Sequence, residues 1–127
     1  MSTLAERTRK LMEKNPILEG RNKIDSETVV RMFGKSFFTP KEVARVDIID
    51  RKTGEPKHYY YVAIREDDTV IISSGHVLTN MLDGIISEVG TIEDFNKELE
   101  TDDTFRLVPA MIRGKSGNRY MDVDLAI

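Results

Sequence analysis

The side chains able to carry covalent or acid–base chemistry are few in this 127-residue chain: it has two histidines, His58 and His76, and no cysteine. Ser73-Ser74-Gly75-His76 sets hydroxyls beside an imidazole. A nucleophile and its base, however, must meet in space, and the G-x-S-x-G elbow that presents a serine at a strand-to-helix turn is missing. The stretch reads instead as a helix start capped by Ser74 or Gly75. Asp122 and Asp124 alternate along one strand pattern and, joined by Glu66, Asp67 and Asp68, would suit a nuclease-type metal pair. Alternating acids are more often simply the wet face of a strand. Gly114-Lys115-Ser116-Gly117 contains the Gly-Lys-Ser of a phosphate loop, but Pro109 stands where its first glycine belongs and a strand pattern follows. It is a cationic turn. These residues make no case for an enzyme, and no metal or cofactor is expected.

The remaining constellation interleaves cations with aromatic rings. Lys57-His58-Tyr59-Tyr60-Tyr61 puts three tyrosines in a row on one strand, where successive side chains face opposite ways. If Tyr60 joins Val62 and Ile64 in the core, Tyr59 and Tyr61 share the outer face with Ala63 and form a platform on which unpaired bases can stack. Lys52 and Lys57 flank that strand, and Arg45 is expected to project from its neighbour. Arg113, Lys115, Arg119 and Tyr120 form a second basic-aromatic group around the last turn. Tyrosine also serves a strand by burying its ring and keeping its hydroxyl wet, so the pattern alone does not require a ligand.

Positioning these groups falls to a short series of elements. Ser2-Thr3 with Glu6 resembles a capping box and opens a weakly amphipathic helix that Asn15-Pro16 ends. A second helix is predicted from Ser26 to Phe33, closed by Gly34. From Phe37 the period becomes two. Ala44, Val46 and Ile48 alternate with Arg45 and Asp47 as in a half-buried strand, Arg51 to Pro56 supplies a turn, and His58 to Ile64 is the partner strand. Thr69 to Ser73 is a third strand. Val77, Leu78, Met81, Leu82, Ile85 and Ile86 then repeat with helical spacing, Gly90 stops that helix, and Thr91 caps another that turns Phe95 and Leu99 inward. Thr104 to Ile112 and Arg119 to Ala126 close the chain as a hairpin around Gly114 to Asn118.

Composition fits this inventory. With 39% hydrophobic and 32% charged residues the chain is long enough for one core without disulfides or a structural metal. Lacking cysteine, it cannot form thiolate zinc sites or iron–sulfur clusters. No apolar run approaches the roughly 18 residues of a membrane span, and the polar start does not resemble a signal peptide, so no membrane partner and a cytoplasmic location are expected. The net charge of −3 conceals a partition: Met1 to Arg65 carries +5, Glu66 to Phe105 carries −10, and Arg106 to Ile127 carries +2. A basic surface built from both ends can thus coexist with an acidic one.

Five strands with a helical insert between the third and fourth is the order of the OB-fold, a five-stranded Greek-key barrel that offers strands 2 and 3 to its ligand. The same string could fold as an α+β sheet with helices on one face. The expected architecture is mainly β with helices, residues 35–127 forming an OB-like barrel and residues 1–34 an N-terminal helical extension that docks on a partner, swaps between subunits or covers the barrel. The long strand Glu42 to Asp50, the tyrosine-rich second strand, Ile71-Ile72-Ser73-Ser74-Gly75-His76-Val77-Leu78, and the hairpin from Ile112 to Tyr120 together resemble the OB-fold single-stranded DNA-binding proteins, especially the small divergent ones of bacteriophages and prophages. The resemblance spans Phe37 to Ile127. It implies a non-catalytic protein that coats single-stranded DNA in replication or recombination, often as a homo-oligomer, alongside other replication or recombination proteins. Many members recruit those proteins through a flexible acidic tail, whereas this sequence closes on Asp124-Leu125-Ala126-Ile127 in a strand pattern, so recruitment of that kind is not expected. The alternative is a protein-interaction or inhibitory accessory module that uses the acidic block of residues 66–105.

Overall fold

A computed structural model describes residues 3–13, 22–23, 27, 30–31, 34–67, 69–73, 76–113 and 119–125; at 12, 22–23, 76–77, 109–113 and 119–125 the description is of the backbone. Helix α1 (Leu4–Glu13) is followed by the two-residue strand β1 (Asn22–Lys23) and by strands β2 (Pro40–Ile49), β3 (Pro56–Ile64) and β4 (Val70–Ile72). Helices α2 (His76–Val89) and α3 (Ile92–Thr101) come next, then strands β5 (Leu107–Arg113) and β6 (Arg119–Leu125). Of the predicted helix from Ser26 to Phe33, Glu27, Val30 and Arg31 are helical and Gly34 donates its N–H to the Val30 carbonyl at 2.7 Å. Its other members lie outside the described residues.

The strands form two separate antiparallel sheets, ordered β2-β3-β4 and β1-β5-β6. This corrects the expected OB-like barrel: the molecule is a small α+β fold. Among the described residues one isolated bridge links the two sheets, in which Phe38 and Leu107 exchange two backbone hydrogen bonds of 2.8 Å. Part of the physical reason lies at the start of the outer edge of β2, at Val43. Where a barrel would bring in another strand, the Asn96 side chain of α3 accepts from the Val43 N–H at 2.9 Å and donates to the Val43 carbonyl at 3.1 Å. A side-chain amide there stands in for a strand.

The core lies between the inner face of β2-β3-β4 and the helices. Val43, Tyr60, Val62 and Ile64 pack with Leu78, Met81, Leu82 and Ile85 of α2, Phe95 and Leu99 of α3, and Phe105 and Leu107 beyond. Gly90 has φ +129° and donates to the Ile86 carbonyl, ending α2, and the Thr91 hydroxyl accepts from the Asp94 N–H at 3.1 Å to start α3. Both signals were legible in the sequence. The row Ala44, Val46 and Ile48 was not: it lies on the face away from the helices, and the inward row of β2 is Val43, Arg45 and Asp47.

Helix α1 belongs to the same core, through buried Leu4, Ala5 and Thr8. Thr3 caps it, its hydroxyl accepting from the Glu6 N–H at 3.1 Å. The free N–H groups of a helix start favour a carboxylate, and Asp102 supplies one: Oδ2 accepts from the Leu4 N–H at 2.9 Å, and Oδ1 from the Thr104 N–H and hydroxyl. Arg7 adds an ion pair with Glu98 at 2.8 Å. Burial acts to raise the Asp102 carboxyl, but the Thr104 and Leu4 hydrogen bonds and the charge of Arg7 outweigh it, so it titrates below the usual range. A depressed folded-state value contributes stability above the unfolded value, about 3.9, that is lost as pH falls through the folded one. Asp102→Ala should therefore lower the unfolding free energy at pH 7 by about 1–2 kcal/mol. Urea unfolding at pH 7 and pH 3 checks this, the gap from wild type narrowing at the lower pH.

Candidate functional site

The alternation expected of the tyrosine strand is present. Tyr60, Val62 and Ile64 are buried, and Tyr59 and Tyr61 lie on the solvent face of β3. Their rings meet edge to face, with centroids 5.6 Å apart at 78°. Facing residues of neighbouring strands share a side of a sheet, so the register defines what surrounds the pair. Val46 is opposite Tyr59, Ala44 and Ile72 are opposite Tyr61, Ile48 is opposite Lys57, and Glu42 and Val70 are opposite Ala63. The result is an open apolar surface on which Tyr61 is 40% exposed, Ile48 43%, Ile72 51% and Val70 53%. No helix or strand among the described residues covers it. A hydrogen bond with Tyr61 pushes the Tyr59 phenol up, so that phenol stays neutral throughout the physiological range.

Cations gather at one end. The β2–β3 turn carries exposed Arg51 and Lys52; Gly54, at φ +70°, donates to the Asp50 carbonyl and closes it. Lys57 reaches Asp50 at 2.6 Å, and that bond first, with the Lys52 N–H second, holds the Asp50 carboxyl below its usual range. An open depression lined by Ile48, Ile49, Asp50, Arg51 and Lys57 joins the charged end to the apolar floor.

Arg45 lies elsewhere. It is opposite Tyr60, on the face away from Tyr59 and Tyr61, and its Nε donates to Asp47 at 3.0 Å. Of the second basic-aromatic group, Lys115 lies outside the described residues. Arg113, Arg119 and Tyr120 are placed by backbone only, in the β5–β6 pair of the other sheet, with Arg113 opposite Arg119 and Ile112 opposite Tyr120. Asp122 and Asp124 are opposite Ala110 and Val108.

The acidic block is largely engaged in holding the fold. Glu66 accepts from the Thr39 N–H, Lys35 first and Thr69 second hold Asp67 down to about 2, Glu98 binds Arg7, and Asp102 caps α1. Glu93, Asp94, Glu100 and Asp103 remain exposed. Among the described residues no three histidines, aspartates or glutamates are grouped to hold a metal ion, and no helix is long and apolar enough to cross a membrane.

One cluster escaped sequence reasoning. His58 Nε2 lies 2.7 and 2.8 Å from the two Asp83 carboxylate oxygens, and the Tyr60 hydroxyl donates to Asp83 at 2.5 Å. Burial, then that hydrogen bond, raises the Tyr60 phenol. The carboxylate thus ties α2 to two residues of one strand face. The available signal was Asp83 itself, the one charge within the apolar repeat from Val77 to Ile86. Ser73, three residues before His76, is structural too: it exchanges hydrogen bonds with the Tyr60 backbone at 2.7 and 2.9 Å. Comparison with protein-family models, with curated proteins and with solved structures found no match for this chain.

Proposed function

We propose that this chain is a non-catalytic binder of single-stranded DNA that acts in the cytoplasm during replication or recombination, holding the strand on the outer face of β2-β3-β4. The observation that carries this reading is the solvent-facing Tyr59–Tyr61 pair on an uncovered sheet. Unpaired bases expose flat apolar faces, and aromatic rings on an open surface bind them with little regard to sequence. Apolar neighbours at Val46, Ile48 and Ile72 extend the platform, and Arg51, Lys52 and Lys57 supply phosphate contacts at one end. A flat face has nothing to insert into a groove, so duplex DNA should bind more weakly. The apolar character of the same face favours a second reading, in which a protein partner covers it.

A titration of labelled oligothymidylate, duplex DNA and RNA at two salt concentrations separates the two. Because single strands lose about 0.7 decades of affinity per decade of salt for each phosphate contacted, three cations predict a log–log slope of about −2. Stacking should also quench the intrinsic fluorescence, which in a chain with four tyrosines and no tryptophan reports on tyrosine alone. Absence of oligothymidylate binding at low salt would overturn the proposal and leave the protein-partner reading.

A further inference from the structure

We infer that β2 is the seat of a homodimer, two copies of the chain pairing antiparallel along this strand in the register that sets Arg45 opposite the partner's Asp47. The inference is independent of the nucleic-acid reading, since it rests on the edge of the sheet.

In the β2-β3-β4 sheet, β2 has β3 on one side only. On its other edge the N–H and C=O of Val43 are taken by Asn96. Backbone groups of an antiparallel strand alternate in direction, so those of Arg45, Asp47 and Ile49 point to the same edge as those of Val43. No described residue pairs with them. Such an edge is a template for another strand unless it is blunted by a bulge, a proline or charge. The bulge and the proline of β2 lie at its start, between Pro40 and Glu42. The open stretch carries one charge of each sign.

Charge then selects the register. A two-fold axis at Asp47 would oppose two aspartates, and one at Arg45 would oppose two arginines. An axis at Val46 opposes Arg45 to the partner's Asp47, and Asp47 to the partner's Arg45. Both side chains share one face of the strand, are 45% and 71% exposed, and already meet at 3.0 Å within the chain. Pairing makes a ring of four alternating charges. On the other face Val46 meets the partner's Val46, and Ile48 meets the partner's Ala44, so the apolar row carrying Tyr59 and Tyr61 continues across the axis. Asn96 ends the ladder at Val43, leaving a short interface and a concentration-dependent dimer.

Sedimentation equilibrium of the full chain over a concentration series tests this. Arg45→Asp or Asp47→Arg alone places like charges opposite each other twice per dimer and should weaken association about tenfold or more. The double exchange Arg45→Asp/Asp47→Arg recreates opposite signs across the axis and should restore it. Because the chain has no cysteine, Val46→Cys provides a single thiol in an otherwise native surface. A non-hydrogen-bonded pair at the axis brings the two Cα atoms to about 4.5 Å, within disulfide range. Val46→Cys should therefore cross-link two chains under mild oxidation, and Ala44→Cys, which faces the partner's Ile48, should not. A monomer at every soluble concentration, a dimer indifferent to both charge reversals, or equal cross-linking at the two cysteine positions would overturn the inference.

Discussion

Replacing Tyr59 and Tyr61 together with alanine should lower the affinity for oligothymidylate by at least about 30-fold, because each stacked base contributes about 1–3 kcal/mol. The fold should survive. Both rings stand on the face away from the helices, and the strand's contribution to the core comes from Tyr60, Val62 and Ile64, which are untouched. Phenylalanine at both positions should keep most of the affinity, since the π-face and not the hydroxyl meets the base. Anisotropy with a labelled oligonucleotide measures the first effect and a urea melt the second. Unchanged affinity in a folded double variant would mean that the strand is held elsewhere, and the platform reading would be lost.

Why the tyrosines were legible while the sheet closure was not is a matter of range. The period of two fixes which of three consecutive strand residues faces inward once Val62 and Ile64 are known to be buried, and nothing beyond the strand is needed. The apolar repeat from Val77 to Ile86 and the stop and cap at Gly90 and Thr91 are local in the same sense. Strand pairing across the chain is not. An OB-like barrel and the observed pair of sheets share one order of elements, and what separates them here is a contact between Val43 and Asn96, 53 residues apart. Nothing in a run of strand residues announces that a helix amide will occupy their edge. Arg45 shows a related limit. Apolar alternation identifies Ala44, Val46 and Ile48 as one face but not which face, and here the apolar row is turned to solvent while Arg45 and Asp47 face inward beside Tyr60. The His58–Asp83 contact spans 25 residues and joins a strand to a helix, again out of reach of periodicity.

Removal of the Phe105 ring should do the opposite of removing the outer tyrosines, costing about 3–5 kcal/mol of stability. Phe105 is fully buried and packs edge to face on Phe95, centroids 5.6 Å apart at 87°. It lies in the short link between α3 and β5, after Asp102 and Thr104, which hold the start of α1, and before Leu107, which makes the bridge to Phe38. A cavity there loosens three connections at once, so the loss should be felt by α1 and by both sheets. Domains of this size are stable by roughly 5–15 kcal/mol, and Phe105→Ala therefore removes about a fifth or more of the reserve. Phe105→Leu, which refills much of the volume, should recover most of it. Phe95→Ala should be comparably costly, and the double variant should cost less than the sum, because the pair itself contributes about 0.5–1.5 kcal/mol. Urea unfolding of the four proteins measures that coupling. Strict additivity would show that the two rings fill separate spaces, and that α3 and the chain leading into β5 are held together by something other than this contact.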